Sequence, residues 1–184
     1  MSISKLRIAL DAGGVIFSHS HSEDNKEDTS QVTNWMNGAI DTIRALSKEG
    51  HTLFVNSFAG KATGQATTKE ILDKLGDVFT PERIVIVKNR NLKYKPCIDL
   101  KIDVMVDDRE DVLDSISQEC LKRNLPCPRL ILFNSTPRVS FDNIVDIRLF
   151  DQESADYVDL GASSANKGYE KVFSWLDLYN ALMF

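Results

Sequence analysis

The chain has no run of the roughly 20 apolar residues needed to span a bilayer, so no membrane segment is expected. It has no excess of positive charge either: 22 lysines and arginines stand against 27 acids, a net charge of −5. A general nucleic-acid binder would show a basic face. Nucleic acid therefore finds no support in the charge balance, although a local basic groove stays open. Cysteine is scarce. Cys97, Cys120 and Cys127 are odd in number, and no two have CxxC spacing. Reduced thiols in a cytoplasmic protein are the expectation, not a disulfide framework. The opening MSISKLRIALD runs straight into a core-like strand, unlike a signal peptide. No internal repeat and no second domain is evident.

What is present is ordinary for a globular chain: 184 residues, 42% hydrophobic and 27% charged. That length suffices for one domain, 1–184, with a sizeable core. Apolar runs at Leu6–Leu10, Thr52–Val55, Arg83–Val87, Ile102–Val106 and Arg129–Phe133 read as strands, with a sixth expected at Asn143–Phe150 on an edge. Helical spacing marks Met36, Ile40, Ile43 and Leu46, ending near Gly50. Further helices are expected over Thr67–Leu75, Asp111–Arg123 and Tyr169–Met183. The last would turn Val172, Phe173, Leu176, Tyr179 and Leu182 inward. Phe58–Ala66 and Asn89–Pro96 read as loops. Residues 18–33 are polar and almost free of apolar side chains, the mark of a flexible loop or flap. Strands alternating with helices predict an α/β three-layer, Rossmann-like sandwich with a mainly parallel sheet of five to six strands.

Four stretches carry chemistry-bearing residues. They are LRIALDAGGVI at Leu6–Ile16, TLFVNS at Thr52–Ser57, KYKP at Lys93–Pro96 and IDVMVDD at Ile102–Asp108. Three are apolar runs that stop at a carboxylate or hydroxyl, which places those groups at the carboxyl edge of a sheet, where open α/β folds bind ligands. In this order the stretches resemble the motifs of the haloacid dehalogenase-like hydrolases, most of which are phosphatases. The family's first motif is a strand followed by Asp-x-Asp-Gly; here it is Asp11-Ala12-Gly13-Gly14. The second ends in a hydroxyl, here Ser57. The third is a lysine before proline, here Lys95-Pro96. The fourth ends in paired acids, here Asp107-Asp108. The resemblance covers Leu6 to about Arg123.

The resemblance implies a Mg²⁺-dependent phosphohydrolase. Asp11 would be the nucleophile and would form an aspartyl-phosphate. Asp11, the Gly13 carbonyl and Asp108 would hold Mg²⁺ through hard oxygen atoms, with Asp107 in support. Ser57 would bind the phosphoryl oxygens, and Lys95 would stabilise charge in the transition state. Lys93 and Lys61 are rival lysines. Lys88, Arg90 and Lys101 belong to a solvated basic cluster.

Gly13 departs from the family pattern, whose second Asp protonates the leaving group. That function is worth roughly 10²–10⁴ in rate. The alternative is therefore a catalytically impaired binding protein that keeps the fold. His19 and His21 are candidate substitutes for the missing acid. The interval from Ile16 to Met36, and that from Ser57 to Lys95, leave no room for a large cap. A capless enzyme acts on a large phosphorylated substrate, or borrows a neighbouring subunit as cover. Small-molecule and macromolecular substrates, and an oligomer, all stay open.

Overall fold

A computed structural model of the chain describes residues 4–18, 34–134 and 169–184. Six strands form one sheet: β1 (Arg7–Leu10), β2 (Thr52–Phe58), β3 (Ile84–Val87), β4 (Val104–Asp107), β5 (Arg129–Phe133) and β6 (Glu170–Val172). Their order is β3-β2-β1-β4-β5-β6, and every described pair is parallel. A parallel sheet buries both faces, which is why its strands read as nearly unbroken apolar runs. The helices are α1 (Ala39–Lys48), α2 (Lys61–Leu75), α3 (Tyr94–Asp99), α4 (Glu110–Lys122) and α5 (Trp175–Met183).

Strand residues alternate between two cores. Ile8, Leu10, Leu53, Val55, Val104, Val106, Ile131 and Phe133 face one way, against α1, α2 and α5. Ala9, Phe54, Met105, Leu130 and Leu132 face the other, against α3 and α4, where Cys97, Val112, Leu113, Ile116 and Cys120 meet them. The result is the three-layer α/β sandwich expected from the alternation of strands and helices. The cysteines are free, with Cys97 and Cys120 buried and Cys127 exposed. No helix among the described residues is long and apolar enough to cross a membrane.

Three local expectations need correction. Helix α2 begins at Lys61, not Thr67, and so absorbs most of the stretch read as a loop. Its glycine is there for close approach: a Cβ on Gly64 would lie 2.9 Å from the Ile86 methyl of β3. Asn89–Pro96 is not a loop throughout. It holds a 3₁₀ turn at Arg90–Leu92 and then α3. Pro96 sits in the first turn of α3, where its missing N–H costs nothing. The expected strand Asn143–Phe150 lies outside the described residues. The sixth strand of this sheet is Glu170–Val172, taken from the head of the expected closing helix.

That helix starts only at Trp175, after Ser174 accepts the Asp177 N–H at 3.1 Å as its N-cap. Its inward face is also different. Trp175, Leu178 and Leu182 are buried, while Phe173 and Leu176 are exposed. The flap expected at residues 18–33 falls, beyond Ser18, outside the described residues, as do His19 and His21.

Leu10 is fully buried at the centre of the sheet, and Leu176 is 67% exposed. Leu10→Ala should therefore destabilise the fold by about 2–5 kcal/mol in urea titration. Leu176→Ala should change it by less than about 0.5 kcal/mol. Equal effects would contradict this assignment of the core.

Candidate functional site

Three adjacent strands assemble the site at their carboxyl edge. Leu10 is in register with Val55 of β2 and with Val106 of β4. One step further stand Asp11, Asn56 and Asp107, side by side. The Asp11 N–H donates to the Val106 carbonyl at 2.9 Å, so the ladder continues past β1. By alternation these three side chains share the face of Ala9, Phe54 and Met105, under α3 and α4. Asp107 is the last residue of β4, and Asp108 follows it just before α4. Oxygens of Asp11, Asp107 and Asp108 lie within 4.8 Å of one another.

Lys93 enters this cluster from the turn before α3. Its Nζ lies 2.9 Å from Asp11 Oδ2 and donates to Asp107 Oδ2 at 2.7 Å. Lys93 is only 2% exposed and Asp107 fully buried. The second oxygen of each acid is also engaged. The Ala12 N–H donates to Asp11 Oδ1 at 2.7 Å, and the Arg109 N–H to Asp107 Oδ1 at 3.0 Å. Burial alone would pull the Lys93 ammonium down. The charges of Asp11 and Asp107 outweigh it and hold it above its ordinary value. Burial, and then the Asp11 charge, push the Asp107 carboxyl up to about 7 against the pull of Lys93. Breaking such a buried pair costs about 3–5 kcal/mol, because a charge is left without compensation.

The structure separates the sequence-predicted residues. It brings Asp11, Asp107 and Asp108 together. Gly13 follows Asp11 in a tight turn, where the Ala12 carbonyl accepts from Ile16 and Phe17 and the Gly14 N–H donates to the Phe17 carbonyl at 2.7 Å. Gly14 there has φ of +76°, a conformation that suits glycine. Ser57 is buried on β2 opposite Ile86 and points to the face away from Asn56.

The lysine expectation is corrected. Lys95 is exposed, and Lys93 is the one that reaches the acids. Two helical positions turn a side chain by about 200°, so only one of the pair can face the sheet. Lys61, Lys88, Arg90 and Lys101 are exposed as well.

Sequence reasoning passed over Asn56. It is 1% exposed, and its Nδ2 donates to the Lys93 carbonyl at 2.8 Å. Its Oδ1 has no partner among the described residues, which costs on the order of 1–3 kcal/mol. The available signal was a polar residue interrupting the apolar run LFV-N-S one step before its expected end.

Carboxylate oxygens from three residues fit a hard divalent cation. Three acids face one ammonium here, and added positive charge would hold Asp107 ionised.

No family model matches this sequence, and no curated protein matches it. Solved structures do resemble the fold. The "Putative beta-phosphoglucomutase from Bacteroides vulgatus" is 12% identical with a TM-score of 0.58, over 99% of this chain and 91% of that one. An uncharacterized protein from Listeria monocytogenes serotype 4b is 13% identical with a TM-score of 0.57, over 96% of each chain. DsGPDH of Dunaliella salina is 12% identical with a TM-score of 0.51, over 71% of this chain; the chain spans 24% of that protein's length. Such likenesses show the fold, an open Rossmann-like α/β sheet, and fold alone does not set function.

The raised Asp107 carboxyl has a consequence for stability. Native Asp107 keeps its proton where the unfolded chain has lost it, between the ordinary 3.8 and about 7. Its contribution is full below that window and is lost as pH rises through it. In metal-free protein, the stability of wild type relative to Asp107→Asn should therefore fall from pH 4.5 to pH 7.5, by thermal unfolding. A difference independent of pH would contradict the environment described for this carboxyl.

Proposed function

We propose that this chain is a Mg²⁺-dependent phosphohydrolase that works through an aspartyl-phosphate on Asp11. The observation that carries the reading is the buried Lys93 ammonium, 2.9 Å from Asp11 and 2.7 Å from Asp107, beside the cluster of three acids. Two anions must meet in phosphoryl transfer, and this edge of the sheet concentrates the means of balancing them. The fold likeness to the Bacteroides protein supports placing phosphoryl chemistry at this edge.

Asp11 Oδ2 attacks phosphorus, the bond from phosphorus to the leaving oxygen breaks, and that oxygen takes up a proton. Water then attacks the acyl phosphate, releasing phosphate and restoring the carboxylate. Lys93 takes the part first given to Lys95: it orients Asp11 and offsets charge on the phosphoryl oxygens. Ser57, expected to bind those oxygens, points to the other face of the sheet, so the N–H groups at the start of α2 are the donors this reading leaves for them. Asp11, Asp108 and the Gly13 carbonyl would hold Mg²⁺, which when bound screens the incoming phosphoryl charge. Both Asp107 oxygens are already hydrogen-bonded, which supports leaving the metal to Asp108. The free thiols go with a cytoplasmic setting.

A second reading is a binding protein with little turnover. Gly13 offers no proton, and both Asp11 oxygens are engaged at 2.7 and 2.9 Å.

Hydrolysis of an activated aryl phosphate decides between them. Activity that needs both Mg²⁺ and Asp11, and that Asp11→Asn abolishes, is expected. Metal binding without any hydrolysis would favour the second reading. If Gly13 removes leaving-group protonation, alkyl phosphates should turn over far more slowly than aryl ones. Gly13→Asp should then narrow that gap by up to roughly 10²-fold. An unchanged ratio would count against this account.

A further inference from the structure

We propose that Asn56 is a positioning residue. Its side-chain amide grips the Lys93 backbone carbonyl, and so fixes the ammonium between Asp11 and Asp107. The inference rests on the phosphohydrolase reading only for its activity readout.

Lysine is a poor candidate for a fixed charge, because its four-carbon stem has many rotamers. Burying it in one place requires a backbone held at one height above the sheet. The approach to Lys93 does not supply this. Lys88, Asn89, Arg90, Asn91 and Leu92 are all exposed. The Lys93 N–H bonds only to the Arg90 carbonyl of its own turn, at 3.0 Å. The described tie from the Lys93 backbone to the sheet is the 2.8 Å hydrogen bond from Asn56 Nδ2. Asn56 stands on β2 between the sheet and α3, with Nδ2 also 3.5 Å from Cys97 Sγ and 3.8 Å from Met105 Sδ.

The amide cannot be turned over, since Oδ1 would then face the carbonyl oxygen. Its present orientation leaves Oδ1 without a partner among the described residues. An unpartnered buried oxygen is a cost, so the donor is what asparagine contributes here.

Asn56→Leu therefore separates a positioning role from a structural one. It keeps the number and branching of the heavy atoms and removes both the donor and the buried oxygen. It should still unfold in one cooperative thermal transition. The Lys93 ammonium protons, protected by burial, should give a slowly exchanging signal in wild type labelled with ¹⁵N-lysine, assigned through the side-chain carbons. That signal should be lost in Asn56→Leu. With aryl phosphate and Mg²⁺, kcat should fall by roughly 10²-fold, the scale of a misplaced catalytic group, with KM little changed. Asn56→Gln, which keeps the donor, should recover part of both. Asn56→Ser, too short to reach the carbonyl, serves if the leucine variant does not fold.

An undiminished ammonium signal in a folded variant overturns the proposal. So does a wild type with no protected signal, or loss of the signal only where the fold itself is lost. A wild type that shows the Asn56-dependent signal yet no hydrolysis would overturn the phosphohydrolase reading and leave this inference standing.

Discussion

Two buried carboxyl groups stand side by side at the end of the sheet, and the Lys93 ammonium between them offsets their charge. That ammonium lies within 3 Å of both Asp11 and Asp107. Burial disfavours charge on Lys93 and on Asp107. The neighbouring carboxylates still hold the Lys93 ammonium above its ordinary value, while the Asp107 carboxyl is pushed up, so protonation and stability at this edge are coupled. The cluster works only while three elements keep their relative heights: β1 for Asp11, β4 for Asp107, and the turn before α3 for Lys93.

The rest of the architecture serves that alignment. Parallel pairing lets adjacent strands present residues in one row, and the register from Leu10 to Val55 and Val106 sets the row one step before the acids. Apolar packing on both faces holds the strands at fixed spacing. Helix α4 begins at Glu110, two residues after Asp108, and Glu110 and Asp111 in its first turn suit the positive end of the helix. Arg109 pairs its side chain with Asp111 at 2.9 Å on the surface, and its backbone N–H serves Asp107. Local capping and site geometry are thus coupled over a few residues.

Much of this was legible in the sequence. Strand runs that stop at Asp or Ser announce a carboxyl edge, and each of the first five expected strands is present. The face Val112, Leu113, Ile116 and Cys120 of α4 follows helical spacing and is buried as spacing requires. Legibility failed where short-range pattern competes with packing. Phe58–Ala66 is rich in small residues, which resembles a loop; in fact Gly64 lets α2 press against Ile86. The segment around Trp175 alternates too little to reveal a three-residue strand, and hydrophobic residues on both sides of the helix obscured its phase. Lys93 and Lys95 are indistinguishable in the motif KYKP. Only the anchoring of the preceding turn tells which of them is inside, and that anchor, Asn56, lies 37 residues away.

The indole N–H of Trp175 donates to the Val15 carbonyl at 3.0 Å, a bond between partners 160 positions apart. Val15 belongs to the turn that immediately follows Asp11. During synthesis that turn emerges 160 positions ahead of its clamp. A ribosome-bound intermediate ending before Trp175 would carry the aspartate without the brace that shapes the residues behind it. The acidic edge is in this sense braced by a segment made long after it.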